Sequence, residues 1–160
     1  SAASDVYKRQ TYTYDDVCLL LDWDRNKTSI IGGYFYDEQT QTFPIFINYE
    51  KQAGAIAYAD RFISPAELIS LSKGNRQIDS KDAQRMTQKG QYASIRILLF
   101  VRRSKSDNEA KAFYFLGAMH AAAAPQPVRL ANGKSAFEMH WRLETPVEEG
   151  LYEYLTGRRG

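Results

Sequence analysis

The chain has one cysteine, Cys18, which excludes an internal disulfide and any cysteine-built zinc site. It has two histidines, His120 and His140, and neither has a partner at metal-ligand spacing. No metal or other cofactor is therefore expected. No run of eighteen apolar residues occurs, so a membrane-spanning helix is not expected. Ala121–Ala124 is too short for one and is followed by Pro125. A reducing cytoplasm suits the single thiol. Gly-x-Ser-x-Gly is absent, as is any glycine-rich phosphate loop, which removes the commonest nucleophile and nucleotide signatures. Charge of one sign is also lacking. A formal total of +2 does not advertise a nucleic-acid binder, although a local patch would count for more than the sum.

Residues 1–10, SAASDVYKRQ, read as the in-frame translation of a transposase-type sequencing adapter and are expected to carry no fold information. On this reading residues 11–157 form one domain and the chain is a C-terminal fragment of a longer protein. Without Asp5, Lys8 and Arg9 the formal charge is +1.

What the chain has in quantity is aromatic residues, 11 Tyr and 8 Phe among them. They concentrate between Gly32 and Phe62. Tyr34 and Tyr36 alternate with Phe35 before a polar turn, Asp37–Thr42, and Phe43 to Tyr49 return as a strand. This predicts a β-hairpin with Tyr34 and Tyr36 on one face and Phe35 on the other. Short strands follow near Arg61–Ile63 and Leu68–Leu71. Ser80 is expected to cap a helix of about ten residues ending at Lys89-Gly90. Ile95–Val101 reads as a central strand with Phe113–Gly117 as its partner. Val128–Leu130 and Phe137–Leu143 form a pair turned at Asn132-Gly133. Short helices are expected from Thr13 to Trp23 and from Val147 to Leu155. The order lacks βαβ alternation. It predicts an α+β fold with a mixed or mainly antiparallel sheet, curled or closed into a barrel, and short flanking helices.

Three functional classes compete. A recognition pocket would use two of Tyr34, Tyr36, Tyr49, Tyr58 and Phe62 to sandwich a planar ligand, with Asp60 or Ser72 reading its edge. The plainer alternative is that these rings are sheet core. Lys51, Arg61, Lys73, Arg76, Arg102, Arg103 and Lys105 would grip phosphates from nearby loops, or are solvated turns. A metal-dependent nuclease would use Glu109-Ala110-Lys111 with an upstream acid such as Asp82. A coupling module that docks on a partner domain would need none of these residues.

Several segments taken together resemble a known family. They are Tyr12-x-x-x-Asp16-Val17-x-x-Leu20-Leu21, Gly33-Tyr34, Phe43-Pro-Ile-Phe-Ile-Asn-Tyr49-x-Lys51, Tyr58-x-Asp60-x-Phe62, Ser72 with Asn75-Arg76, Leu99-Phe-Val-Arg102, Phe113-Tyr-Phe-Leu-Gly117 and Leu151-Tyr-x-Tyr-Leu155. In order and spacing they resemble the C-terminal domain of unknown function of large bacterial superfamily 2 helicases. Those proteins often carry a phospholipase-D-type nuclease domain, and some act as type IV, modification-dependent restriction enzymes. The resemblance implies an SRA-like or PUA-like reader that takes a modified cytosine out of duplex DNA. The domain itself would be non-catalytic. Its partners would be double-stranded DNA and the helicase and nuclease domains upstream, in an antiviral defence protein that could assemble as a homo-oligomer. Tyr34, Tyr49, Tyr58, Asp60, Phe62, Ser72 and Arg76 fall on family positions. Ser70 departs from the pattern, standing where many relatives have Trp.

Overall fold

In a computed structural model of the chain, residues 11–13, 16–17, 33–49, 60–103 and 112–157 are described. They build eight strands and two short helices. In chain order these are β1 (Thr11–Tyr12), β2 (Thr42–Asn48), β3 (Arg61–Ser64), β4 (Glu67–Leu71), α1 (Lys81–Met86), β5 (Arg96–Arg102), β6 (Phe113–Ala121), β7 (Gln126–Arg129), β8 (Ser135–Leu143) and α2 (Glu149–Thr156). They form one mixed, open and curled sheet in the order β2-β5-β6-β8-β4-β3, with β1 against β6 and β7 against β8. The fold class expected from the sequence is the one observed.

The β5 strand, expected to be central, lies between β2 and β6, second from the edge, and is buried on both faces for a visible reason. Ile97 to Val101 are all apolar, and all are buried. A strand covered on both faces needs no alternation. Ile97, Leu99 and Val101 enter the main core, while Leu98 and Phe100 enter a second core under Tyr12 and Val17. β2 lies parallel to β5, with Phe43 opposite Ile97 and Ile47 opposite Val101. It divides the same way: Phe43, Ile45 and Ile47 face the main core and Phe46 the second.

Curvature comes from strands that change partners. β6 pairs with β5 over its first part and with β8 over its last three residues. Within the part paired with β5 lies a bulge: Leu99 faces Gly117, but Phe100 faces Phe115, so Leu116 is the extra residue. Gly117 has φ +94°, a conformation that favours glycine. The bulge sends Phe115 to the second core and Leu116 to the main one.

The predicted hairpin is present in irregular form. Its first arm meets β2 through bridges at Tyr34–Ile45 and Asp37–Thr42. Its turn is tied by the Asp37 carboxylate, which accepts from the Thr40 N–H and hydroxyl at 3.0 and 2.7 Å. The faces divide as expected, Tyr34 and Tyr36 toward the main core and Phe35 toward the second.

Thr13 caps a helical turn at Asp16–Val17. Its Oγ1 accepts from the Asp16 N–H at 3.1 Å, and Asp16 Oδ2 accepts from the Thr13 N–H at 3.0 Å. The rest of that expected helix lies outside the described residues.

α1 needs correction. It has six residues instead of about ten, because Gln88 takes φ +56° and Gly90–Tyr92 form a separate 3-10 turn. Ser80 occupies the N-cap position without capping, since its Oγ accepts from the Gln77 N–H at 2.7 Å. α2 is capped by Glu148, which accepts from Gly150 and Leu151, and closes at Gly157 in the left-handed region. No described helix is long and apolar enough to cross a membrane.

Candidate nucleic-acid interface

The exit of β4 gathers three of the sequence-predicted pocket residues. At Leu71 the N–H donates to Asp60 Oδ1 at 2.8 Å. At Ser72 the hydroxyl accepts from the Phe137 N–H and donates to the Lys73 carbonyl, both at 2.9 Å. At Lys73 the N–H donates to the Tyr34 hydroxyl at 3.1 Å. Three consecutive residues are thus fixed to β3, β8 and the hairpin.

From that exit a cleft of about 290 Å³ opens between the hairpin, the segment after β4 and α1. Tyr34, Phe35, Tyr36 and Phe43 supply its aromatic wall, and Lys73, Arg76, Lys81, Asp82 and Arg85 its charges. The Tyr34 hydroxyl donates to Asp82 Oδ2, which also accepts from Arg76 Nε at 3.1 Å. Tyr34 stacks on Phe43 with ring centroids 5.4 Å apart. Lys73 Nζ lies 4.6 Å from the Tyr34 ring centroid and the Arg85 guanidinium 4.3 Å from that of Tyr36. Burial, then the hydrogen bond to Asp82, pushes the Tyr34 phenol well above its ordinary range. Burial, then the neighbouring Arg76, pulls the Lys73 ammonium below its own.

A second aromatic group sits beyond β3. Phe62 packs between Tyr49, stacked at 5.8 Å, and Tyr152, edge-on at 5.4 Å. The Tyr49 hydroxyl accepts from the Phe62 N–H at 3.2 Å. Phe62 is buried and Tyr49 half-buried.

The remaining basic candidates are dispersed. Arg61 lies 3.8 Å from Glu138. Arg102 donates to Asn48 Oδ1 and covers the Phe113 ring at 4.3 Å. Arg103 lies over Tyr154 at 5.6 Å. Lys51, Tyr58 and Lys105 lie outside the described residues, as do Glu109 and Lys111. Among the described residues no group of His, Cys, Asp and Glu could hold a metal ion.

Tyr36 belongs to the cleft with Tyr34, whose face it shares. Phe43, Lys81 and Arg85 belong to the cleft but not to the sequence-predicted site. The signal was available for Arg85, which lies three residues after Asp82 on the same side of a helix.

Ser70 proves to be interior. Its Oγ accepts from Trp141 Nε1 at 2.8 Å, and both residues are buried. A Trp at position 70 would compete for the volume of Trp141, so this position belongs to the packing of β4 on β8.

Comparison with known proteins agrees with this architecture. No curated protein matches the sequence. Among solved structures, the SRA domain of SUVH5 with hemi-methylated CG DNA superposes with a TM-score of 0.58 at 12% identity, over 91% of this chain and 93% of that one. The same domain with fully hydroxymethylated CG DNA gives 0.56 at 13% identity, over 93% and 95%. The DNA modification-dependent restriction endonuclease AspBHI gives 0.54 at 14% identity, over 93% of this chain but 44% of that one. The fold is SRA-like. Residues 6–155 match the family described as "Domain of unknown function (DUF3427)", and the chain belongs to that family.

Proposed function

We propose that this domain is a non-catalytic reader of modified bases in double-stranded DNA, working by base extrusion. It would serve a helicase–nuclease defence protein whose motor and nuclease lie upstream. The observation that carries the reading is the convergence of Asp60, Ser72 and Tyr34 on three consecutive positions at the β4 exit. Support comes from the SRA-like fold, whose solved examples include complexes with methylated and hydroxymethylated DNA.

The chemistry is direct. The bond from the Leu71 N–H orients the Asp60 carboxylate, and a carboxylate is an acceptor-only group. The exocyclic amine of cytosine donates to such a group. Tyr58 would supply the stacking face, at roughly 1–3 kcal/mol per base. A polar group built to match the base edge rejects bases that leave it unpaired.

The test is a fluorescence-anisotropy titration of the chain against matched duplexes carrying cytosine, 5-methylcytosine or 5-hydroxymethylcytosine. The expected result is a preference for one modified duplex that persists as salt is raised. Equal affinity for all three at every salt concentration would overturn the reading.

A further inference from the structure

The cleft at Tyr34 is poorly suited to hold a base. The Tyr34 ring has Phe43 stacked on it at 5.4 Å and Lys73 Nζ 4.6 Å from its centroid. The Tyr36 ring has Arg85 at 4.3 Å and Phe43 at 6.0 Å. A planar ligand would have to displace a cation or Phe43 to stack on either ring.

The arrangement suits something else. A cation held over a ring is positioned by the ring's quadrupole, and its charge is not neutralised as a carboxylate would neutralise it. Lys73, Lys81 and Arg85 form no ion pair with a described residue. Arg85 Nε is buried and has no hydrogen-bond partner among the described residues. A buried donor without a partner calls for an explanation, and an absent ligand is one. Lys73 is partly desolvated, with Arg76 beside it. Asp82 is the one carboxylate among the described residues that line the cleft, and it is engaged by Tyr34 and Arg76. The lining therefore carries four cations against one anion.

We infer that this cleft is an anion site that takes a backbone phosphate of DNA, with Arg85 and Lys73 as its principal contacts and Tyr34 and Tyr36 as supports beneath them. Arg offers a planar fork of donors that fits a phosphate bidentately, and Lys adds a point charge. Lys73 follows Ser72 directly, so a phosphate held here would lie beside the proposed base site. The inference deepens the proposed function, and it rests on that reading for its choice of DNA as the source of the phosphate.

The test measures the affinity of the chain for an unmodified duplex across a range of salt concentrations. Arg85→Gln and Lys73→Gln would be compared with the parent and with Arg142→Gln, a control on β8 beside Glu67. Each lost phosphate contact should lower the slope of log K against log salt by about 0.9. Arg85→Gln and Lys73→Gln should each show that loss, and the control should not. Thermal melting would establish that each variant is folded. Parent-like slopes in both cleft variants would overturn the assignment. So would a parent chain that ignores DNA but is stabilised by inorganic phosphate or a mononucleotide, which would make the cleft a small-anion site. Repeating the titration on a modified duplex separates the two proposals. Loss of slope without any preference for the mark would retain the cleft and discard the base reader.

Discussion

Two pairs of aromatic residues from one stretch of sequence, Tyr34 with Tyr36 and Tyr49 with Phe62, end in different physical states. At Tyr49, Phe62 and Tyr152, ring packs on ring and the group belongs to the core. At Tyr34 and Tyr36, Phe43 packs on one side and cations lie over the rings. The comparison teaches that a density of tyrosines does not by itself mark a stacking platform. What decides is the group that arrives on the second face. Another hydrophobic ring makes the tyrosine structural. A cation makes it a support for charge, and the cost is a desolvated ammonium or guanidinium that is not paired with a described carboxylate.

The largest effect should come from the ring-on-ring group. Phe62→Ala removes a buried ring and should cost about 3–5 kcal/mol of stability, read from urea denaturation. A cost under 1 kcal/mol would mean that Phe62 is not part of the core, and the contrast between the groups would fail.

Next comes Tyr34→Phe. It leaves the Lys73 N–H without its acceptor and should cost about 1–3 kcal/mol. Its pH dependence sharpens the point. Tyr34 faces Asp82, Arg76 and Lys73, and its folded pKa is raised, so the folded state favours the neutral phenol. That contribution is intact below the unfolded value of about 10 and is lost as pH rises above it. The parent should therefore lose stability above pH ~10, and Tyr34→Phe should lack this loss. Lys73 acts in the opposite direction. Its lowered pKa means the charged form is a cost at neutral pH, relieved as pH rises. Identical alkaline profiles for parent and variant would contradict the assignment.

The smallest effect is the most diagnostic of a functional cation. Lys73→Met keeps the stem and removes a partly desolvated charge. Thermal melting should show a variant at least as stable as the parent, while its affinity for DNA falls. A clear loss of stability would show that the ammonium holds the fold together.

Much of the fold was legible because it depends on local rules. The apolar run at Ile95–Val101 could only be a strand buried on both faces. Asn132-Gly133, with Gly133 at φ +85°, marked the β7–β8 turn. The length of α1 was not legible, because Gln88 leaves the helical region for reasons set by its surroundings. Its side chain donates to the Ile95 carbonyl and meets His120. The role of Ser80 was hidden for a similar reason, since the sequence offers its hydroxyl to two backbone donors without choosing between them. The site was legible in its residue types and only partly in its grouping. Tyr34, Lys73 and Arg76 meet at one cleft. Asp60 and Ser72 are bonded at the β4 exit beside it and do not line it, and Phe62 goes elsewhere. Sequence separation conceals such meetings: Tyr34 and Asp82 are 48 residues apart.

The most direct test of this division of labour is one paired measurement. Asp60→Ala and Arg85→Gln would be titrated beside the parent, on matched 5-methylcytosine and cytosine duplexes, at several salt concentrations. The account predicts that Asp60→Ala loses the preference for the mark with its salt slope unchanged. It predicts that Arg85→Gln keeps the preference with a slope smaller by about 0.9. Variants that lose both properties together, or an Asp60→Ala that keeps the full preference, would contradict it.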